Sequence, residues 1–120
     1  MEQLSAEDRL TALADADLIA LRLGAQVLAH KAELADRTVV AAYFGLLERS
    51  ALAELASRTR GMRTVAERPQ IALSDQADAE DRRLTAEYLG LLVANEHLSP
   101  QLRDLCRALR ARDGKSRDGR

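Results

Sequence analysis

From Leu10 to Ala32 the apolar residues Leu10, Leu13, Leu21, Leu28 and Ala32 return at a near-heptad rhythm, with Leu18 and Ala25 beside them. That spacing lines one side of an α-helix and cannot line one side of a strand. The pattern recurs in Val40, Tyr43, Phe44, Leu47, Ala51 and Leu55, then in Ala77, Leu84, Tyr88, Leu91 and Leu92, and last in Leu102, Leu105 and Leu109. Composition points the same way. Ala and Leu dominate an apolar fraction of 47%, whereas strand-forming β-branched residues are few and Tyr43, Phe44 and Tyr88 are the whole aromatic set. The sequence therefore predicts an all-α antiparallel bundle of four main helices. A chain of 120 residues is one domain at ordinary lengths, expected here over residues 1–112 with a polar tail over 113–120.

Cap signals place the helix ends. Ser5 and Asp8 can form a capping box for the first helix, and Asp15, Asp17 and Gly24 predict a break or kink within it. Asp36 is the expected cap of the second helix, which should run to about Arg58. A connector follows to about Leu73, punctuated by Gly61 and Pro69, with Ile71 and Leu73 docking it on the core. Ser74 and Asp75 are the expected caps of the third helix. Ser99 followed by Pro100 is the clearest start of all, because Ser is a preferred N-cap and Pro fits the first helical position. The short connection before Ser99 predicts that the third and fourth helices form a hairpin.

Asp36–Leu47 aligns without gaps on Asp81–Leu92, sharing Asp, Arg, Ala, Tyr, Gly, Leu and Leu. This suggests that the second and third helices descend from a duplicated helix. Glycine inside a helix costs close to ~1 kcal/mol relative to alanine, so its recurrence asks for a packing reason. Gly45 and Gly90 are accordingly expected where helices cross or where one copy meets another. Tyr43 and Tyr88 are expected to lay their rings on apolar surface and direct their hydroxyls to polar partners, or to wall a small pocket.

The net charge of −1 conceals blocks. Residues 1–36 carry a balance of −4, residues 58–73 of +3, residues 74–97 of −4 and residues 98–120 of +4. Pairing between blocks, within or between chains, is one reading. The other is an anion or nucleic-acid contact made by Arg58, Arg60 and Arg63 together with Arg103, Arg107 and Arg110, the last three on one helical face. A slightly acidic chain with Asp104, Asp113 and Asp118 among those arginines argues against a dedicated nucleic-acid binder.

The function classes narrow accordingly. His30 and Glu33 reverse the Glu-x-x-His order of di-metal bundles, so no metal site, cofactor or catalytic residue set is expected, and the chain does not read as an enzyme. The one cysteine, Cys106, falls on a buried helical face and reads as a core residue of a cytoplasmic protein. No apolar run approaches the ~20 residues of a membrane span. The leading expectation is a non-catalytic interaction or homo-oligomerisation module. The alternatives are a nucleic-acid-associated regulator and a small-ligand-binding bundle.

Overall fold

The computed structural model describes residues 6–60, 70–94 and 99–114. Within them are five helices: α1 (Ala6–Thr11), α2 (Asp15–Leu34), α3 (Thr38–Arg60), α4 (Ala79–Val93) and α5 (Pro100–Asp113). No strand occurs among the described residues, and the fold is an all-α bundle. Two hairpins, α2 with α3 and α4 with α5, make the most extensive helix pairs. α1 closes against α3 and α5. None of the described helices is long and apolar enough to cross a membrane.

The break in the first helix lies at Ala12–Ala14, just before Asp15 and well before Gly24. It ends α1 with tightened turns, in which the Ala12 and Leu13 amides donate to the carbonyls of Arg9 and Leu10. Arg58 staples the gap. Its guanidinium donates to the Thr11 carbonyl at 3.0 Å, an acceptor that the ending helix leaves open, and to Asp15 Oδ1 at 2.8 Å on the far side. The same side chain meets Glu54 one turn back on α3 at 2.9 Å. The expected Ser5 cap lies outside the described residues.

Asp36 does not cap α3. It takes a left-handed conformation (φ 60) at the end of α2, where its amide donates to the Glu33 carbonyl and the Arg37 amide donates to the Ala32 carbonyl. This pair of bonds is a Schellman motif, and a short Asx-type side chain tolerates the position better than most non-glycine residues. α3 then begins from Arg37, whose carbonyl accepts from the Ala41 amide. The start of α4 also differs from expectation. Ser74 forms a local turn, its Oγ accepting from the Gln76 amide, and the helix begins after Asp78. Asp78 accepts from the Asp81 amide at 2.8 Å, and Asp81 accepts from the Asp78 amide at 3.2 Å. Two donors are satisfied reciprocally at this start. For α5 the expectation holds: Ser99 caps, accepting from the Leu102 amide, and Pro100 opens the helix.

The core is the helical stripe expected from the sequence. Leu10, Leu13, Leu18, Leu21, Ala25, Leu28 and Ala32 are buried against Val40, Tyr43, Phe44, Leu47 and Ala51, with Leu102, Leu105, Cys106, Leu109 and Ile71 closing the far side. α4 is the exception. It buries Asp81, Thr85, Tyr88 and Leu89, while Leu84 and Leu92 are half-buried and Leu91 is 52% exposed. This buried line is partly polar: Asp81 meets Arg37 at 3.3 Å, and the Thr85 hydroxyl donates to the Asp81 carbonyl at 2.8 Å. α5 continues through Asp113, and Gly114 packs on Ala86, so the packed region passes residue 112, where a tail was expected to begin.

Candidate functional site

α2 is apolar on two opposite sides. Its buried residues, Leu18, Leu21, Ala25, Leu28 and Ala32, face the core. Half a turn away stand Ile19, Leu23, Val27 and Leu34, exposed by 46%, 48%, 65% and 75%. At ~100° per residue these four fall within roughly 100° of arc, and exposed Ala16, Ala20 and His30 fall in the same sector. Scattered apolar side chains on a surface need no explanation, but a continuous stripe along one helix does. Two charged residues, Asp17 and Lys31, flank the stripe on one side, and Arg22 and Glu33 flank it on the other. The stripe was present in the sequence as a second helical line, but the sequence reading followed only one line per helix and missed it.

Of the residues singled out from the sequence, the tyrosines are brought together and the glycines are not. Tyr43 and Tyr88 are both buried and both touch Phe44, with ring centroids 5.2 Å and 5.9 Å apart respectively. The Tyr43 hydroxyl donates to Asp113 Oδ2 at 2.8 Å. Asp113 in turn accepts from Arg112, whose guanidinium also donates to the Ile71 carbonyl. Tyr43, α5 and the segment before α4 are thereby tied into one buried polar anchor. Burial, then the Asp113 charge, then this hydrogen bond hold the Tyr43 hydroxyl well above the usual tyrosine range, so it stays protonated. Lys31 sits 5.8 Å from the centre of the Tyr88 ring, within cation–π range. Burial pushes the Cys106 thiol up to about 12, which keeps it protonated and unreactive.

Gly45 and Gly90 do not mark the tight crossings within the chain. A Cβ built on Gly45 meets nothing within 4 Å, and one on Gly90 meets only the Arg110 guanidinium, 3.7 Å away. The close approaches are at Gly24 and Gly114. A Cβ at Gly24 would lie 2.6 Å from Leu92 Cδ2, and one at Gly114 would lie 2.7 Å from the Ala86 Cβ and 2.8 Å from the Arg110 carbonyl oxygen. Repetition in the sequence pointed to the wrong pair, because Gly24 and Gly114 both lie outside the repeated segments; of the two, Gly114 is the more constrained, since it meets a Cβ and a backbone oxygen whereas Gly24 meets the end of the Leu92 side chain.

The arginines divide as well. Arg58 is consumed by the staple at the α1–α2 break and is no free anion contact. Arg60 closes α3, but its side chain and all of Arg63 lie outside the described residues. Arg103 is half-buried, with its Nε sequestered and unbonded, while Arg107 and Arg110 are exposed. His30 and Glu33 are a solvent-exposed pair, 3.9 Å apart. Between α4 and α5 lies a groove of about 450 Å³, lined by Arg82, Arg83 and Arg110 with Glu87. No protein-family model matches the chain, and no curated protein or solved structure matches it.

Proposed function

We propose that this protein is a non-catalytic self-association module whose contact surface is the outer face of α2, packed antiparallel against the same face of a second copy. The observation that carries the reading is the stripe of Ile19, Leu23, Val27 and Leu34, exposed directly opposite the buried face of the same helix. The described bundle covers one apolar side of the helix and leaves the other as a contiguous patch in water, which on a monomer marks a contact surface.

A second copy fits this face better than an unrelated chain for two reasons. An antiparallel pair centred between Leu23 and Val27 sets these two residues against each other, and sets Ala16 and Ala20 against Leu34 and His30, small opposite large. The same register brings Lys31 of one copy within a turn of Asp17 of the other, twice by symmetry, and opposes the two helix dipoles favourably. The exposed patch is on the order of 400 Å², a size that marks a contact surface on a monomer. That is about half of the ~800 Å² per partner in a standard interface, so the dimer should be reversible, with a dissociation constant on the order of micromolar. A cytoplasmic location is part of the proposal, in keeping with the one cysteine, Cys106, being free and buried.

Sedimentation equilibrium from about 5 to 500 µM tests this. The mass should rise from 13.2 kDa toward twice that value across the series. The double change Leu23→Asp with Val27→Asp should hold it at 13.2 kDa while leaving the helical circular dichroism of dilute protein unchanged. A wild-type chain that stays monomeric throughout overturns the proposal.

A further inference from the structure

The groove between α4 and α5 carries cations that the fold does not use. Two guanidinia pair with four carboxylates, those of Glu80, Asp81 and Glu87 on α4 and of its N-cap Asp78. Arg37 meets Asp78 at 3.6 Å and Asp81 at 3.3 Å. Arg83 meets Glu80 at 2.5 Å and Glu87 at 3.0 Å. Arg82 and Arg110 line the same groove and have no hydrogen bond or ion pair among the described residues. Two guanidinia beside one open cavity repel each other unless an anion is shared between them.

The walls suit a compact oxyanion. Ala79, Ala86 and Gly114 complete the lining, so no bulky apolar side chain fills the groove, and the Glu87 carboxylate there is paired with Arg83. Gly90 has a role in this arrangement. Its missing side chain leaves the Arg110 guanidinium lying against α4, 3.7 Å from where a Cβ would stand. Arg83, which also lines the groove, is paired with Glu80 and Glu87. A planar fork from each side offers paired donors that match the oxygens of a tetrahedral phosphate.

We propose that this groove binds a phosphate group through Arg82 and Arg110. The phosphate could be that of a small phosphate ester or one in a nucleic-acid backbone, and the chemistry of recognition is common to both. Arg107 and Arg103 extend away from Arg110 along the same face of α5, so a polymer would find further cations beyond the groove.

Amide chemical-shift titration distinguishes the sources. Full-length protein in low salt is titrated with inorganic phosphate, with adenosine monophosphate and with a 12-nucleotide single strand. The shifts should centre on residues 79–90 and 107–114. Arg82→Ala and Arg110→Ala should each weaken binding at least tenfold, whereas Arg49→Ala, on exposed α3 surface, should leave it unchanged. Gly90→Leu should also weaken binding, by filling the seat of the Arg110 guanidinium. Saturation by phosphate or the monophosphate, insensitive to Arg107→Glu, identifies a small ester as the ligand class. Binding of the strand alone, weakened by Arg107→Glu and falling steeply with salt, identifies a nucleic-acid backbone. The proposal is overturned if none of the three probes shifts these residues, or if the shifts survive both the Arg82 and the Arg110 substitution in protein whose circular dichroism is unchanged.

Discussion

The inner and outer faces of α2 are built from the same kinds of residue and meet opposite fates. Leu21 is 1% exposed and Leu23, two residues on, is 48% exposed. The inner face is covered by α3, whose Tyr43 is fixed by a hydrogen bond to Asp113 at the end of α5. The outer face is covered by nothing among the described residues. Hydrophobicity alone therefore does not say which side of a helix is core. The side that faces in is the one whose neighbours can close over it and satisfy the polar groups buried along with it.

The largest effect should come from truncating each face in turn. Leu21→Ala removes a fully enclosed side chain and should cost about 2–5 kcal/mol, lowering the melting temperature at any concentration. Leu23→Ala should cost less than ~0.5 kcal/mol in dilute protein and yet weaken self-association. Equal losses from the two changes in dilute protein would erase the distinction between the faces.

The polar anchor of the inner side comes next. Tyr43→Phe leaves Asp113 short of a donor and should cost about 1–3 kcal/mol. It also has a pH signature. The folded state holds Tyr43 above its ordinary value of 10.0, so this contribution is complete below about pH 10 and is lost as pH rises further, because the unfolded chain gives up the proton first. Cys106, raised from 9.0 to about 12, adds a loss of the same sign beginning near pH 9. Melting curves from pH 7 to 11 should be flat at first and then fall, and Tyr43→Phe should make the fall above pH 10 shallower, leaving the part due to Cys106. An identical alkaline fall in the variant would show that this hydroxyl does not anchor the core.

The glycines repeat the contrast on a smaller scale. Gly114→Ala places a methyl against the Ala86 Cβ and a backbone oxygen, neither of which can swing aside, and should cost about 1–3 kcal/mol. Gly45→Ala enters open space and should stabilise the helix by up to about 1 kcal/mol through its better propensity. Calorimetry of the two variants reads both signs. A loss at Gly45 would mean that something outside the single chain packs there.

Much of the fold was legible because it rests on local rules. The lines Leu10 to Ala32 and Val40 to Ala51 are core, Ser99 and Pro100 begin a helix, and Ile71 docks its segment, as their spacing and chemistry predicted. The misreadings occurred where two local solutions competed. Asp36 could cap a helix or end one, and the Schellman bonds to Ala32 and Glu33 decided for the end. Ser74 and Asp78 could both begin α4, and the reciprocal bond with Asp81 decided for Asp78. For the candidate sites, the arginine face of α5 was visible, but Arg82, across the groove, and the outer stripe of α2 were not picked out.

What the sequence determined by itself was the helices, their principal apolar lines and the residues able to cap them, because these depend on neighbours within a turn or two. Only the tertiary structure decided which apolar line of α2 was left in the open, which arginines the carboxylates consumed and which glycines had to stay bare. Those outcomes depend on how residues far apart in the chain compete for the same cover and the same charges, and spacing along the sequence holds no record of that competition.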